Sequence, residues 1–241
     1  MISISHLSKY YGKNESHFVA LDDVSFEVPS GSTISIIGKS GSGKSTLMHI
    51  MSGLDHPTDG TVTINDVDIF KMKQKAMDDF RATQMSFIFQ AFFVEPNQTC
   101  YQNVMLPLEI AKVAIGKRKA MVMEALKAVE LGEKAANMAS TLSGGQKQRL
   151  AIARAIVNKP SIIFADEPTG NLDSTTGVKI MKLLFGLNET LGCTLVLVTH
   201  DAELATRCRL QIRLKDGKLE EMPHLPQKSA PKHATKTRKV L

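Results

Sequence analysis

Long apolar runs, cysteines and a leader-like N-terminus are scarce or missing in this 241-residue sequence. No stretch of 18 apolar residues occurs, so the sequence predicts no membrane-spanning helix. The first six residues contain neither a basic region nor an apolar run, and we expect no secretory signal. The three cysteines are far apart and odd in number, which excludes a disulfide framework and a cysteine metal site. A reducing cytoplasm fits this pattern best.

Acidic residues are missing from the last nineteen positions. Residues 223–241 carry five cations, which account for +5 of the net charge of +6 and leave +1 for residues 1–222. Bulk charge therefore does not indicate a nucleic-acid partner, and we expect none. The tail has almost no large apolar residues, so we expect it to be disordered. It is either a passive extension or a segment that contacts an anionic membrane surface.

The composition of the remaining chain is that of a globular protein. Hydrophobic residues make up 43% and charged residues 22%, which excludes a collagen-like or wholly disordered chain. Apolar runs predict strands at 2–4, 24–28, 33–37, 61–64, 86–89, 162–165 and 195–198, with 61–64 as an edge strand. Helical spacing predicts helices at 45–52, 116–131, 146–157 and about 177–189. The pattern indicates a largely parallel α/β core interrupted by a mostly helical insert.

A phosphate-binding loop is predicted between a strand and a helix. Residues 38–45 read GKSGSGKS and match the pattern G-x-x-x-x-G-K-[ST]. Glycines allow backbone N–H groups to surround phosphates, a lysine supplies a positive charge, and the final hydroxyl can ligate Mg²⁺. A flexible Gly/Ser linker is the alternative, but it does not explain the strand and helix on either side. The predicted ATP-binding residues of this segment are Gly38, Lys39, Ser40, Gly41, Ser42, Gly43, Lys44, Ser45 and Thr46.

Two carboxylates, Asp166 and Glu167, follow the apolar run at 162–165. Ligands of open α/β sheets bind at the carboxyl ends of the strands. Asp166 is placed to hold Mg²⁺, and Glu167 to act as the general base on the attacking water. A solvated strand end is the alternative when this pair is considered alone. Next to a phosphate-binding loop, we interpret the pair as catalytic.

A second Gly-rich segment, LSGGQ at residues 142–146, precedes the predicted helix at 146–157. A serine and two glycines at a helix N-terminus can bind an anion, and an ordinary N-cap is the alternative. With the motifs already described, this segment resembles the signature of the nucleotide-binding subunit of ATP-binding-cassette (ABC) transporters. The resemblance spans residues 1 to about 222 and continues through Lys147, Gln148 and Arg149.

The resemblance implies roles for further residues. Tyr11 stands where an aromatic stacks on adenine, and Gln90 resembles the glutamine that senses Mg²⁺ and the γ-phosphate. His200 resembles the switch histidine that contacts the γ-phosphate, although a lone histidine at a strand end is usually a surface residue. The resemblance implies that Glu167, His200 and Lys44 are catalytic. It also implies that Ser45, Gln90 and Asp166 hold Mg²⁺. Residues reaching the ATP of a partner subunit would be Ser143, Gly144, Gly145, Gln146 and Asp173.

The resemblance also implies a fold and an activity. The fold would be an α/β P-loop NTPase of the ABC type, with a RecA-like core at 1–90 and 158–222. An N-terminal antiparallel β subdomain and a helical subdomain at about 91–157 would complete it. The chain would bind ATP and Mg²⁺, dimerise around two ATP molecules and hydrolyse them. It would drive an integral-membrane permease-type subunit docked near Gln90 and the helical subdomain, peripheral on the inner face of the membrane.

Details of the resemblance distinguish branches of the family. Residues 165–173, ADEPTGNLD, and the segment at 102–108 resemble the branch for lipoprotein release, macrolide export and cell division. Two residues depart from the family pattern. Lys39 stands where a small residue or proline is usual, and Glu95 stands where an apolar residue is usual. The alternative function is a soluble ABC protein acting on nucleic acid or ribosomes. A small-molecule kinase or GTPase is a third class, but a guanine-reading Asn-Lys-x-Asp motif is missing.

Overall fold

The computed structural model describes residues 1–12 and 18–220, so the predicted basic tail at 223–241 lies outside the described residues. An antiparallel sheet is formed by β1 (Ile2–Tyr11), β2 (Phe18–Val28), β4 (Asp59–Ile64) and β5 (Val67–Asp68), in the order β2-β1-β4-β5. The prediction that 61–64 is an edge strand is wrong, because β5 pairs with the outer side of β4. The turn between them has positive φ at Asn65 and Asp66, which both residue types tolerate. These two residues reverse the direction of the chain between β4 and β5.

The second sheet contains six strands. They are β3 (Thr33–Ile37), β6 (Met85–Phe89), β7 (Ile162–Asp166), β8 (Thr194–Val198), β9 (Leu210–Lys215) and β10 (Lys218–Leu219). Their order is β10-β9-β3-β8-β7-β6, and every pairing is parallel except that of β10 with β9. The predicted α/β class with a largely parallel core is confirmed.

Helices connect and cover the sheets. They are α1 (Lys44–Met51), α2 (Gln74–Gln84), α3 (Cys100–Ile110), α4 (Ile115–Ala128), α5 (Gly144–Ile156), α6 (Ser174–Leu191) and α7 (Ala202–Thr206). Sequence patterns did not predict α2, α3, α7 or β9. Among these, α2 buries only Met77, α3 contains Pro107, and α7 is five residues long. No helix among residues 1–12 and 18–220 is both long and apolar enough to span a membrane.

Two hydrophobic cores lie on opposite faces of the parallel sheet. Ile162 and Phe164 of β7 pack with α1 and the antiparallel sheet, whereas Ile163 and Ala165 pack with α3, α4, α5 and α6. This alternation follows from the strand period of two residues. Burying each large aliphatic or aromatic side chain stabilises the fold by about 1.5–3 kcal/mol. The central strands are therefore held rigidly on both faces.

The parallel strands bring the predicted site residues to one edge. Asp166 at the end of β7 pairs with Phe89 of β6 and Val198 of β8, and Val198 pairs with Ile36 of β3. The residues that follow these strand ends are Gly38, Gln90, Glu167 and His200. Parallel pairing thus gathers segments that are more than 100 residues apart in the chain.

Candidate active site

The loop between β3 and α1 opens onto a cavity of about 670 Å³. Residues 37–42, His200 and the end of β9 line this space, which we call the cradle cavity. The N-cap of α1, Gly43, makes no side-chain cap hydrogen bond. The N–H groups of the first helical turn can therefore bind an anion. Lys44 Nζ donates to the carbonyl oxygens of Gly38 and Lys39 at 2.9 and 2.8 Å, which holds a positive charge against the loop.

Two glycines make the loop fit a phosphate chain. Gly43 has a φ of 100°, and a Cβ atom there would lie 2.4 Å from the carbonyl oxygen of Ala20. Gly41 has a φ of 78°, and among the described residues other than its chain neighbours no atom lies within 4 Å of its Cβ position. A side chain at Gly43 is excluded by contact, whereas Gly41 leaves bare backbone facing open space. A smaller cavity of about 230 Å³ next to the loop is lined by residues including Lys44, Ser45 and Thr46.

Tyr11 at the end of β1 is held in place by charged neighbours. Its hydroxyl donates to Asp55 Oδ2 at 2.6 Å, and Lys9 Nζ lies 4.8 Å from the ring centroid. Lys9 also donates to Asp55 Oδ1 at 2.8 Å. Burial raises the Tyr11 pKa, as does its hydrogen bond to Asp55, and an interaction with Thr46 opposes this rise. Lys9 covers one face of the Tyr11 ring, so a planar ligand group would stack on the opposite face.

Asp166 is an oxygen donor close to the positive charges of the loop. Burial raises its pKa above the usual value, as does the charge of Glu167, and His49 and Lys44 oppose this shift. Within the described part of the chain, no group of three or more His, Cys, Asp or Glu side chains is spaced to hold a metal ion. Asp166 and the Ser45 hydroxyl are nevertheless hard oxygen donors, which Mg²⁺ takes together with phosphate oxygens.

Glu167 and His200 are in direct contact. Oε1 of Glu167 accepts a hydrogen bond from the His200 backbone N–H at 3.0 Å and lies 2.7 Å from His200 Nδ1. The Glu167 side chain is 19% exposed, whereas that of His200 is 77% exposed. Glu167 has a φ of 45°, in the left-handed region, and its N–H donates to Val198 at 2.9 Å. A strained backbone held by neighbouring strands is typical of a functional position.

Gln90 lies against the loop that follows β7. Its Nε2 donates to Asn171 Oδ1 at 3.2 Å, and Asn171 Nδ2 donates to the Gln90 carbonyl oxygen at 3.0 Å. A Cβ on Gly170 would lie 2.7 Å from Gln90 Nε2. Gln90 is not among the described residues that line the cradle cavity.

The second Gly-rich segment lines a separate cavity of about 500 Å³, which we call the signature cavity. Ser143 and Gln146 form a reciprocal capping box at the start of α5, so the N-cap alternative is present in the structure. Asp173 caps α6 by accepting from Thr176 N–H at 2.9 Å, and hydrogen bonds to Thr176 lower its pKa. The residues predicted to reach a partner's ATP line this cavity together, namely Ser143, Gly144, Gly145, Gln146 and Asp173. None of them lines the cradle cavity.

Comparison with known proteins identifies the family of this chain. A model of the ABC transporter family matches residues 21–170. The chain belongs to the ABC transporter family. It is 42% identical to the lipoprotein-releasing system ATP-binding protein LolD of Syntrophotalea carbinolica, covering 91% of this chain and 96% of LolD. It is 40% identical to YbbA, an uncharacterized ABC transporter ATP-binding protein of Escherichia coli K12, covering 92% and 97% of the two chains.

Solved ABC cassettes share the fold. The dimeric post-hydrolysis structure of the ATP-binding cassette MJ0796, bound to ADP and Pi, has a TM-score of 0.82 and 40% identity. The alignment covers 92% of this chain and 98% of that one. The predicted membership of the family and the predicted ABC-type fold are confirmed. The chain is an ATP-binding, ATP-hydrolysing subunit of an ABC transporter.

Sequence reasoning missed several contacts within this ABC cassette. No sequence pattern indicates Asp55, which accepts hydrogen bonds from both Lys9 and Tyr11. Gln148 belongs to the segment that resembles the family signature, and it is fully buried on α5. Its spacing to Ile152 and Ala155 places it on the buried face of the helix, and this periodicity was the available signal.

Proposed function

We propose that two copies of this chain hydrolyse ATP in composite sites, in which the cradle cavity of one copy faces the signature cavity of the other. The observation that carries this proposal is the separation of the two cavities, which share no lining residue. Each cavity presents one half of a phosphate site. A dimer of opposed copies would complete two sites, and the dimeric structure of MJ0796 supports such an arrangement.

Each residue has a defined task in the proposed site. Tyr11 would stack on the base, the loop N–H groups and Lys44 would bind the phosphates, and Glu167 would accept the proton of the attacking water. Ser45 and Asp166 would hold Mg²⁺, which neutralises phosphate charge when bound. Gln90 would join this set by leaving Asn171. The partner copy would supply Ser143, Gly144, Gly145, Gln146 and Asp173 from its signature cavity.

Complementation between two inactive variants tests the shared site. Ser143→Arg places a bulky cation at the signature cavity, and Lys44→Ala removes the phosphate-binding charge. Each variant alone should lose hydrolysis, whereas Ser143→Arg should still bind ATP. Dimers that combine the two variants should regain activity, and each such dimer should contain at most one working site. Ser140→Arg, an exposed position three residues away that lines neither cavity, is the matched control. Full activity of Ser143→Arg alone would contradict the proposal.

We also propose a docking surface for an integral-membrane subunit near Gln90 and α3. Phe93, Leu106 and Ile110 are apolar and exposed by 66%, 45% and 61%. Leu106 and Ile110 lie one turn apart on α3, and Asn103 of the same helix hydrogen-bonds the backbone of Glu95 at 2.7 and 3.0 Å. Exposed apolar patches of this kind mark partner contacts. Docking there would hold the chain on the inner face of the membrane.

The membrane subunit can be identified by co-purification of the native complex in mild detergent. In that complex, Ile110→Lys should lower ATPase stimulation by the membrane subunit and leave basal hydrolysis unchanged. Val67→Lys, the same kind of change at an exposed apolar position of the antiparallel sheet, is the matched control. Normal stimulation of the Ile110→Lys complex would exclude this surface.

A further inference from the structure

Gln148 on α5 connects the helix that carries the signature to both loops of the catalytic edge. Its side chain is fully buried. Nε2 donates to the carbonyl oxygen of Pro168 at 2.6 Å and approaches that of Phe89 at 3.4 Å. Pro168 directly follows Glu167, and Phe89 directly precedes Gln90. One amide group therefore bridges the backbone beside two residues of the proposed active site.

Arg154, almost two turns further along α5, holds the other side of the Gln90 segment. Its guanidinium donates to the carbonyl oxygens of Phe93 at 2.5 Å and Phe92 at 3.3 Å. The backbone around Gln90 is thus attached to α5 both before and after that residue. The same helix begins at the Ser143 cap. The helix α5 therefore connects the signature segment with both loops through the hydrogen bonds of Gln148 and Arg154.

Among the described residues, only the nitrogen of the Gln148 side-chain amide is hydrogen-bonded. Its Oε1 is buried and has no hydrogen-bond partner among residues 1–12 and 18–220. Leaving a buried acceptor unsatisfied costs about 1–3 kcal/mol. An apolar side chain of similar volume would avoid this cost but would leave the carbonyl oxygen of Pro168 without its Nε2 donor. A buried polar atom without a partner calls for an explanation, and a role in function is one such explanation.

We propose that Gln148, assisted by Arg154, is a positioning residue that aligns Glu167 and Gln90 when the signature segment engages ATP on the partner copy. This proposal rests on the composite site of the proposed function. Docking of the signature segment would move α5, and the Nε2 bridge would carry Pro168 and Phe89 with it. The carboxylate and the sensing glutamine would then reach their working positions together. Hydrolysis would be restricted to the assembled dimer.

Substitution of Gln148 by a side chain of similar size tests this role. Gln148→Met removes the donor and retains the volume. We expect kcat to fall about tenfold or more, because small displacements of catalytic groups have effects of this size. The KM for ATP and the dissociation constant for a fluorescent ATP analogue should stay within about twofold of the wild-type values, because Gln148 does not contact the cradle. Hydrogen exchange at the Gly170 and Leu172 amides should accelerate.

A matched control separates positioning from stability. Asn188 is also a buried amide, and it donates to the carbonyl oxygens of Gly31 at 3.2 Å and of Cys193. These partners precede β3 and β8, at the edge of the sheet opposite the site. Asn188→Leu should lower the melting temperature without changing kcat per folded molecule. Equal kcat in Gln148→Met and Asn188→Leu would overturn the proposal.

Two further variants keep the test decisive. If Gln148→Met does not fold, Arg154→Lys retains the charge but cannot reach both carbonyl oxygens, and it should lower kcat with unchanged analogue binding. A wild-type kcat in Arg154→Lys would then overturn the proposal.

Glu167→Gln distinguishes a failure of the proposed function from a failure of the role of Gln148. Active Glu167→Gln would refute the proposed site itself, whereas inactive Glu167→Gln with fully active Gln148→Met would refute only the role of Gln148.

Discussion

His200 contacts a single oxygen of Glu167 through two of its nitrogen atoms. The backbone N–H and ring Nδ1 lie 3.0 and 2.7 Å from Glu167 Oε1. When Nδ1 is the donor, the neutral ring keeps Nε2 as an acceptor. The contact fixes the orientation of the carboxylate and leaves Oε2 available for water. It also connects the proposed base with the proposed γ-phosphate contact, two residues that the sequence separates by 33 positions.

Glu167→Gln should retain ATP binding and slow hydrolysis by about 100-fold or more, because the amide cannot accept the proton of the attacking water. ATP should then accumulate a stable dimer, detectable by gel filtration with Mg²⁺. Glu189→Gln, an exposed substitution near the end of α6, is the matched control and should behave as wild type. Turnover near the wild-type rate in Glu167→Gln would show that Glu167 is not the base.

His200→Ala should lower kcat by about tenfold or more, since the carboxylate of Glu167 loses its ring contact. The effect should be much smaller in a Glu167→Gln background, because residues that act as a unit are not additive. Steady-state kinetics of both single variants and the double variant measure this coupling. His6→Ala, which removes an exposed histidine paired with Asp23, is the control. Fully additive losses would mean that His200 acts independently of Glu167.

Asp55→Asn should destabilise the fold by roughly 1–3 kcal/mol, because it removes the charge that pairs with the largely buried Lys9. Burial opposes ionisation of Asp55, but hydrogen bonds from Lys9 and Tyr11 lower its pKa below 3.8 overall. A lowered pKa means that this stabilisation is complete above about pH 4 and is lost as the pH falls through the folded-state pKa.

Urea unfolding of wild type and Asp55→Asn at several pH values measures this dependence. The difference in stability should be the same at pH 7 and pH 5 and should shrink below pH 4. Asp59→Asn, at an exposed position of the antiparallel sheet where the side chain accepts the N–H of Gly60, is the control. A difference that already shrinks between pH 7 and pH 5 would exclude Asp55 as its source.

The three thiols should resist alkylation in the folded protein. Cys100, Cys193 and Cys208 are buried, and burial raises the pKa of Cys208 to about 12. The reactive thiolate is therefore almost absent at pH 8, and the reagent has no access. Iodoacetamide labelling followed by mass spectrometry should show slow modification in buffer and complete modification in urea. Rapid labelling of Cys208 in buffer would indicate that the end of the α7 segment opens locally.

The chemical groups of the site follow from the sequence alone. The GKSGSGKS loop, the Asp166–Glu167 pair and the LSGGQ segment are local patterns, because each depends on residues that are neighbours in the chain. The sequence also determined β3, β7 and β8 within one residue. Continuous apolar runs, which are typical of strands buried on both faces, mark β7 and β8, whereas β-branched residues before Gly38 mark β3. Family membership followed from the order of these motifs.

Contacts between distant segments were decided only by the tertiary structure. The pairing of His200 with Glu167, of Gln90 with Asn171 and of Gln148 with Pro168 depends on which strands are neighbours in the sheet. Strand order is set by packing of both faces against separate cores, which no local pattern records. The same holds for α2, α3 and α7, because tertiary contacts rather than periodicity stabilise these helices. The sequence determined which groups the site contains, and the three-dimensional packing decided which of them touch.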